Sequence, residues 1–169
     1  MTTRRAAREQ ALKWLYQVDI GRTPIADTVA ETQVALDEEG LAFARELLQG
    51  AVAQVHEIDA LISRYAKDWS LDRMPALDRN ILRLSIFEIL HRPDIPDSVS
   101  VDEAVELAKR YSTAESSKFV NGVLGALLRD TDARSELAPS LDSTQDEHAA
   151  PPSEDAPGSS PSPADEANP

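Results

Sequence analysis

Several features that would define other classes of protein are missing from this chain of 169 residues. It has no cysteine, which excludes disulfides and thiolate-bound metals and suits a reducing cytoplasm. It has no run of about 18 apolar residues, so no membrane span is expected. The N-terminal stretch lacks the apolar centre of a secretion signal, MTTRRAAREQ. These absences predict a cytoplasmic protein.

Patterns that support catalysis or metal binding are also absent. The six glycines are too scattered to form a phosphate-binding loop. The histidines His56, His91 and His148 are far apart along the chain, and no H-E-x-x-H occurs. The carboxylate run at residues 37–39 is typical of a solvated helix start. We therefore expect a binding protein rather than an enzyme, with no cofactor and no metal.

The net charge of -13 is unevenly distributed along the chain. Residues 136–169 hold eight acidic residues, seven of the eleven prolines, and no lysine or arginine. Such a segment cannot bury enough apolar surface to offset the entropy lost on ordering. The sequence therefore predicts a folded domain over residues 1–135 and a disordered acidic tail over residues 136–169.

The first 14 residues carry the opposite charge. Arg4, Arg5, Arg8 and Lys13 accompany a single acidic residue, Glu9. A basic segment on an acidic protein favours an anionic partner. The alternative is a solvated helix start whose charges bind nothing, and charge alone leaves both open.

Apolar residues in the domain recur at helical spacing, without convincing strand alternation. The first stripe includes Trp14, which we assign to the core, and Gly21 is expected to end that helix. The segment PALDRNILRLSIFEILHR has apolar residues on both sides, which is typical of a central helix packed from both sides. The pattern predicts an all-α domain of about seven helices with short connections.

Local signals also predict helix boundaries. The long helical pattern in the first half is expected to break at residues 56–59, where Asp59 is a candidate N-cap. Ser100 and Glu103 form an S-x-x-E capping box. The last helix is expected to begin near Thr113 or the residue before it.

The last helix contains two interior glycines, Gly122 and Gly125, although each costs a helix roughly 1 kcal/mol relative to alanine. On a helical wheel both lie with Glu115 and Lys118 opposite the apolar core face, and Phe119 lies at the edge. Such a strip lets another backbone approach closely. The sequence therefore predicts an external docking surface. The alternative is that a neighbouring helix of the same chain packs on the strip.

Three blocks of the sequence resemble the NusB family of transcription antitermination factors. The arginine-rich opening reads RRAAREQALKWLYQVD, and the central helix reads LDRNILRLSIFEILHRPDIP. The last two helices read SVDEAVELAKRYSTAESSKFVNGVLGALL. The resemblance covers roughly residues 4–128, and the combination of central and closing blocks is specific.

This resemblance implies an all-helical fold of two small bundles that share one core. It implies binding of boxA-type single-stranded RNA together with the ribosomal protein NusE. The pair would join an RNA polymerase antitermination complex that serves ribosomal RNA transcription. Neither catalysis nor a cofactor is implied. Some family members form homodimers that hide the RNA surface, and the sequence leaves the oligomeric state open.

The resemblance also assigns RNA-binding residues. The family's basic opening motif falls on Arg4, Arg5 and Arg8, and the lysine of its closing motif falls on Lys118. Guanidinium groups suit phosphate oxygens and stack on unpaired bases. Tyr16 is a further candidate for stacking on a base, with a half-buried core position as the alternative.

The expected partner-binding residues lie on the last helix. The acid and the aromatic residue of the closing motif fall on Glu115 and Phe119, and the strip adds Gly122 and Gly125. Gly125 stands where many members have an acidic residue, which leaves the polar details of this face open.

Two other functions are compatible with this pattern. One is a NusB-like module of the type fused to RNA cytosine methyltransferases. It would need a downstream catalytic domain where this sequence has the acidic tail. The other is a protein-binding helical module without an RNA role, whose arginines are idle surface charge.

Overall fold

Residues 3–30 and 35–130 are described by the computed structural model, and every regular element in those ranges is a helix. The predicted all-α fold of about seven helices is confirmed. The helices are α1 (Thr3–Gly21), α2 (Ile25–Ala30), α3 (Glu38–Ala53), α4 (Val55–Tyr65), α5 (Ala76–His91), α6 (Asp97–Tyr111) and α7 (Ala114–Arg129). The predicted domain boundary at residue 135 and the acidic tail lie outside the described residues.

Several helix ends follow the local signals in the sequence. The Thr113 hydroxyl accepts a hydrogen bond from the Ser116 N–H at 3.0 Å, so the predicted start of α7 is confirmed. Helix α5 begins directly after Pro75. Helix α1 ends at Gly21, and the next residue, Arg22, takes a left-handed conformation with φ of 52°. That conformation, which usually favours glycine, turns the chain out of the helix.

Two predicted boundaries are wrong, because contacts between helices override the local pattern. The break in the long helical pattern falls at Gln54, between α3 and α4. Asp59 lies inside α4, where its carboxylate accepts two hydrogen bonds of 2.8 Å from Arg83. Ser100 lies inside α6 instead of capping it, and its hydroxyl donates to Glu88 at 2.9 Å.

The helices form two small bundles that share α5. Helices α1 and α3 pack on each other and on α5, and α2 packs on α1, whereas α4, α6 and α7 pack on α5 and α7 contacts both α4 and α6. One apolar core runs through both bundles, and Trp14 is fully buried in it, as predicted. The predicted arrangement of two bundles around a shared core is therefore confirmed.

Helix α5 is the central helix, as its sequence pattern predicted. Every residue from Asn80 to Ile89 is buried. The polar residues within this stretch do not remain unpaired: Arg83 binds Asp59 of α4, and Glu88 accepts hydrogen bonds from α1 and α6. Buried charges of this kind fix how the neighbouring helices sit against α5.

Candidate functional site

The first turn of α1 exposes two arginines, each next to a carboxylate. The Arg4 guanidinium lies 3.6 Å from Asp94, and 41% of its side chain is exposed. Arg5 donates to Glu103 from Nε at 3.0 Å and from Nη2 at 2.7 Å, and 47% of its side chain is exposed. Both guanidinium groups therefore remain partly accessible to an anionic ligand while being held by the protein.

Arg8 occupies a different environment from the two arginines before it. Only 6% of the residue is exposed, and its guanidinium makes two hydrogen bonds to Glu88, at 2.9 and 2.6 Å. Glu88 is 3% exposed and also accepts a hydrogen bond from the Ser100 hydroxyl. The sequence assigned Arg8 to RNA binding together with Arg4 and Arg5, which requires an exposed guanidinium. The structure corrects this, because α1 packs against α5 along the face that carries Arg8.

A cluster of arginines surrounds the ring of Phe43 in α3. The guanidinium carbons of Arg4, Arg8 and Arg92 lie 5.5, 5.4 and 5.1 Å from the ring centroid. Arg92 also donates to Asp94 at 2.9 Å. The hydrogen bond from Arg92 lowers the pKa of Asp94 to about 2. Arg92 and Asp94 were not predictable from sequence spacing, because only the fold brings α3 and the α5–α6 connection to the start of α1.

Tyr16 lies on the surface of α1, with 39% of the residue exposed. It borders a groove with Lys13, Leu77 and Tyr111. The Lys13 ammonium lies 5.9 Å from the centre of the Tyr111 ring. Of the two alternatives for Tyr16, the structure places it at the surface, where its ring is accessible for stacking.

The outer face of α7 is open to solvent. The side chains of Glu115 and Lys118 are 86% and 76% exposed and lie 3.6 Å apart. A Cβ atom added at Gly122 would meet nothing within 4 Å, and one at Gly125 would meet only Arg129, at 3.4 Å. Within the described residues no other helix therefore packs on Gly122, so the strip is external, as predicted.

A groove with an aromatic wall continues this face of α7. Phe119, which is half-buried, borders it together with Trp69, Met74 and Pro75. A second hollow extends from Trp69 and Phe119 to Gly122. Trp69 is 52% exposed, and sequence analysis missed it. The available signal was a tryptophan in the connection between α4 and α5, outside any apolar stripe.

The structure separates the predicted site residues into two groups. Arg4 and Arg5 lie near the C-terminal end of α5: Arg4 shares the Phe43 ring with Arg8, which binds Glu88, and Arg5 follows Arg4 in the first turn of α1. Tyr16 borders Leu77 and Phe119 borders Pro75, both at the N-terminal end of α5. Ten residues of helix between positions 78 and 88 correspond to about 15 Å. An extended ligand is needed to contact both groups.

Two other kinds of site have no candidate among the described residues. No group of three or more histidine, aspartate or glutamate side chains in residues 3–30 and 35–130 is placed to hold a metal ion. Likewise, none of the helices described there is both long enough and apolar enough to cross a membrane.

Known proteins are similar to this chain in sequence and in fold. A model of the NusB family matches residues 5–129. The transcription antitermination protein NusB of Heliobacterium modesticaldum is 50% identical over 137 residues, which cover 79% of this chain and 66% of that protein. The chain thus spans about two thirds of that relative's length.

Solved structures agree with the match. T. maritima NusB superposes with a TM-score of 0.72 at 38% identity, covering 81% of this chain and 99% of that one. A chain from a crystal structure of the antitermination factors NusB and NusE in complex with dsRNA has a TM-score of 0.67 at 29% identity. That match covers 76% of this chain and 98% of the other. With the family match over residues 5–129, these likenesses show that the chain belongs to the NusB family.

Proposed function

We propose that this protein is a transcription antitermination factor that binds boxA-type RNA together with the ribosomal protein NusE. The pair would join an RNA polymerase antitermination complex that serves ribosomal RNA transcription. Membership of the NusB family supports this proposal, as does the relative that was crystallised with NusE and dsRNA. The function is binding without catalysis, and it uses no cofactor.

The observation that carries the RNA role is the pair of half-exposed arginines in the first turn of α1. Arg4 and Arg5 keep 41% and 47% of their side chains exposed, and guanidinium forks match phosphate oxygens. Tyr16 adds an exposed ring for an unpaired base, and Lys118 adds a charge further along the surface. Arg8 is buried beneath this surface, and its ion pair with Glu88 holds α1 in place.

The partner surface is the outer face of α7 with its adjoining groove. Gly122 and Gly125 allow close backbone approach, and Glu115 supplies an exposed charge. Phe119 and Trp69 provide aromatic side chains of the type that dominates binding energy at protein interfaces. We assign this surface to NusE.

A salt titration of RNA binding, with NusE present, tests the RNA role. The observed affinity for single strands falls with salt, with a log–log slope of about -0.7 per neutralised phosphate. Replacing both Arg4 and Arg5 by alanine is expected to flatten the slope by about 1.4. Lys13→Ala is the control, because Lys13 lies further along α1 than Arg4 and Arg5 and its ammonium packs over the Tyr111 ring. Overlapping curves for the wild type and the double variant would refute the RNA role of α1.

A binding titration with NusE alone tests the partner surface separately. Trp69→Ala and Phe119→Ala are each expected to weaken binding about tenfold or more, the effect of losing an aromatic anchor. Val99→Ala is the matched control, because Val99 is also an exposed apolar residue (40%) but lies in α6, next to Ser100. NusE binding that survives both aromatic substitutions would place the partner elsewhere.

A further inference from the structure

Glu103 holds the Arg5 guanidinium from the side of α6. Its two carboxylate oxygens accept hydrogen bonds from Arg5 Nε and Nη2, at 3.0 and 2.7 Å. The Glu103 side chain is only 15% exposed, whereas that of Arg5 is 47% exposed. The Glu103 carboxylate is therefore mostly buried, and the Arg5 guanidinium lies between this carboxylate and the solvent.

Both members of this pair are charged at neutral pH. The hydrogen bond from Arg5, more than any other contact, lowers the pKa of Glu103. The same hydrogen bond raises the pKa of Arg5. Two parallel charge-assisted hydrogen bonds fix the plane of a guanidinium as well as its position. Arg5 thus has a defined orientation before any ligand arrives.

We propose that Glu103 is a positioning residue for RNA: it presents the Arg5 guanidinium to a backbone phosphate. This inference rests on the proposed contact between Arg5 and RNA. The Arg5 side chain stays 47% exposed while Glu103 holds it, so a phosphate can approach the guanidinium. A free arginine side chain loses its rotamer freedom on binding, whereas one that is already held loses less. Preorganisation by Glu103 therefore increases affinity although its own charge repels phosphate.

The opposite role, in which Glu103 competes with phosphate for Arg5, predicts an effect of opposite sign. Removing a competing carboxylate frees the arginine and makes the surface more positive, so RNA binding would tighten. Glu106 provides the matched comparison. It lies one turn further along α6, carries the same charge, and its side chain is 56% exposed with Lys109 3.4 Å away. Glu106→Ala removes one negative charge near Arg5 without removing the two hydrogen bonds.

The test is a titration of boxA-type RNA against the full chain with NusE present, at one fixed salt concentration. Glu103→Ala is expected to weaken RNA binding about threefold, within the usual range of coupling between contacting residues. Glu106→Ala is expected to leave binding unchanged or slightly tighter. If Glu103→Ala tightens binding as Glu106→Ala does, the positioning role is overturned.

Two further variants complete the test. Arg5→Ala with Glu103→Ala should bind RNA as tightly as Arg5→Ala alone or slightly more tightly, because without Arg5 only the repulsive charge of Glu103 is removed. Weaker binding in the double variant overturns the inference. If Arg5→Ala itself leaves RNA binding unchanged, the proposed function of Arg5 fails as well. Should Glu103→Ala not fold, Glu103→Gln keeps the volume and one acceptor, and tighter binding by that variant would overturn the positioning role.

Discussion

Arg8 and Glu88 form a buried ion pair that joins the first helix to the central one. Their side chains are 7% and 3% exposed, and two hydrogen bonds connect them. An arginine of the basic opening motif is thus part of the interior. The basic motif at the start of the chain therefore divides into two exposed residues and one that holds α1 on α5.

This division leads to a prediction about stability. Arg8→Ala leaves the buried Glu88 carboxylate without its partner and should lower the free energy of unfolding by about 3–5 kcal/mol. Arg4→Ala removes an exposed ion pair with Asp94, which contributes about 0–1 kcal/mol, and a contact with the Phe43 ring that contributes about 0.5–1 kcal/mol. Urea unfolding of the two variants measures the difference. Equal unfolding midpoints would show that the Arg8 pair contributes no more than a surface contact.

Substitutions at Gly122 and at Gly50 should have opposite effects on the stability of the domain. A side chain at Gly122 meets open space, so Gly122→Leu should keep the fold and stabilise α7 by up to roughly 1 kcal/mol. The same variant should bind NusE more weakly, because the added side chain blocks close approach. Thermal unfolding and a NusE titration measure the two effects. Loss of folding in Gly122→Leu would show that the strip is internal.

Gly50 is the matched comparison for Gly122, because a side chain at Gly50 would point into the packed interior. A Cβ atom there would overlap the ring of Phe87, which is itself packed against His91 with ring centroids 4.6 Å apart. Gly50→Ala should therefore destabilise the domain by about 1–3 kcal/mol, the usual cost of overpacking, despite the better helix propensity of alanine. Thermal unfolding shows whether Gly50→Ala lowers or raises the stability of the domain. A stabilised Gly50→Ala variant would mean that the Phe87 ring moves without cost.

The sequence allowed the elements and the outer face of α7 to be predicted, since both depend on local spacing. Apolar periodicity identified the central helix, and the wheel placed Gly122 and Gly125 outside. The burial of Arg8 was not predictable in the same way, because its partner Glu88 lies 80 positions further along the chain. The same carboxylate takes the hydroxyl of Ser100, which the local pattern had assigned to a helix cap.

Acid should weaken the contact between α1 and α5 through Asp19. Burial raises the Asp19 pKa, but hydrogen bonds from Arg79 and Asn80 outweigh it, so the pKa lies below its usual value. The resulting stability is present above about pH 4, the ordinary pKa of aspartate, and is lost as the pH falls through the lower folded-state pKa. Asp19→Asn should reduce the fall in stability below pH 4. An identical acid dependence in the variant would exclude Asp19 as a contributor.

Removing the acidic segment tests a prediction made from sequence alone, since it lies outside the described residues. Deleting residues 139–169 should leave the melting temperature nearly unchanged, because the segment has few side chains suited to packing. RNA binding should tighten, because seven acidic residues no longer compete with RNA for Arg4 and Arg5. Melting curves and an RNA titration give the two results. A fall of several degrees would contradict the prediction.

The position of α5 has a consequence for how the domain can come apart. Both bundles pack on this helix, so neither covers its own apolar surface when α5 is removed. We therefore expect the two halves to unfold as one cooperative unit, without a half-folded state in which a single bundle survives. A fragment that ends before Ala76 loses the helix that carries Glu88, the partner of Arg8. The surfaces proposed for RNA and for NusE would thus share one folding transition, and damage to either bundle is expected to abolish both.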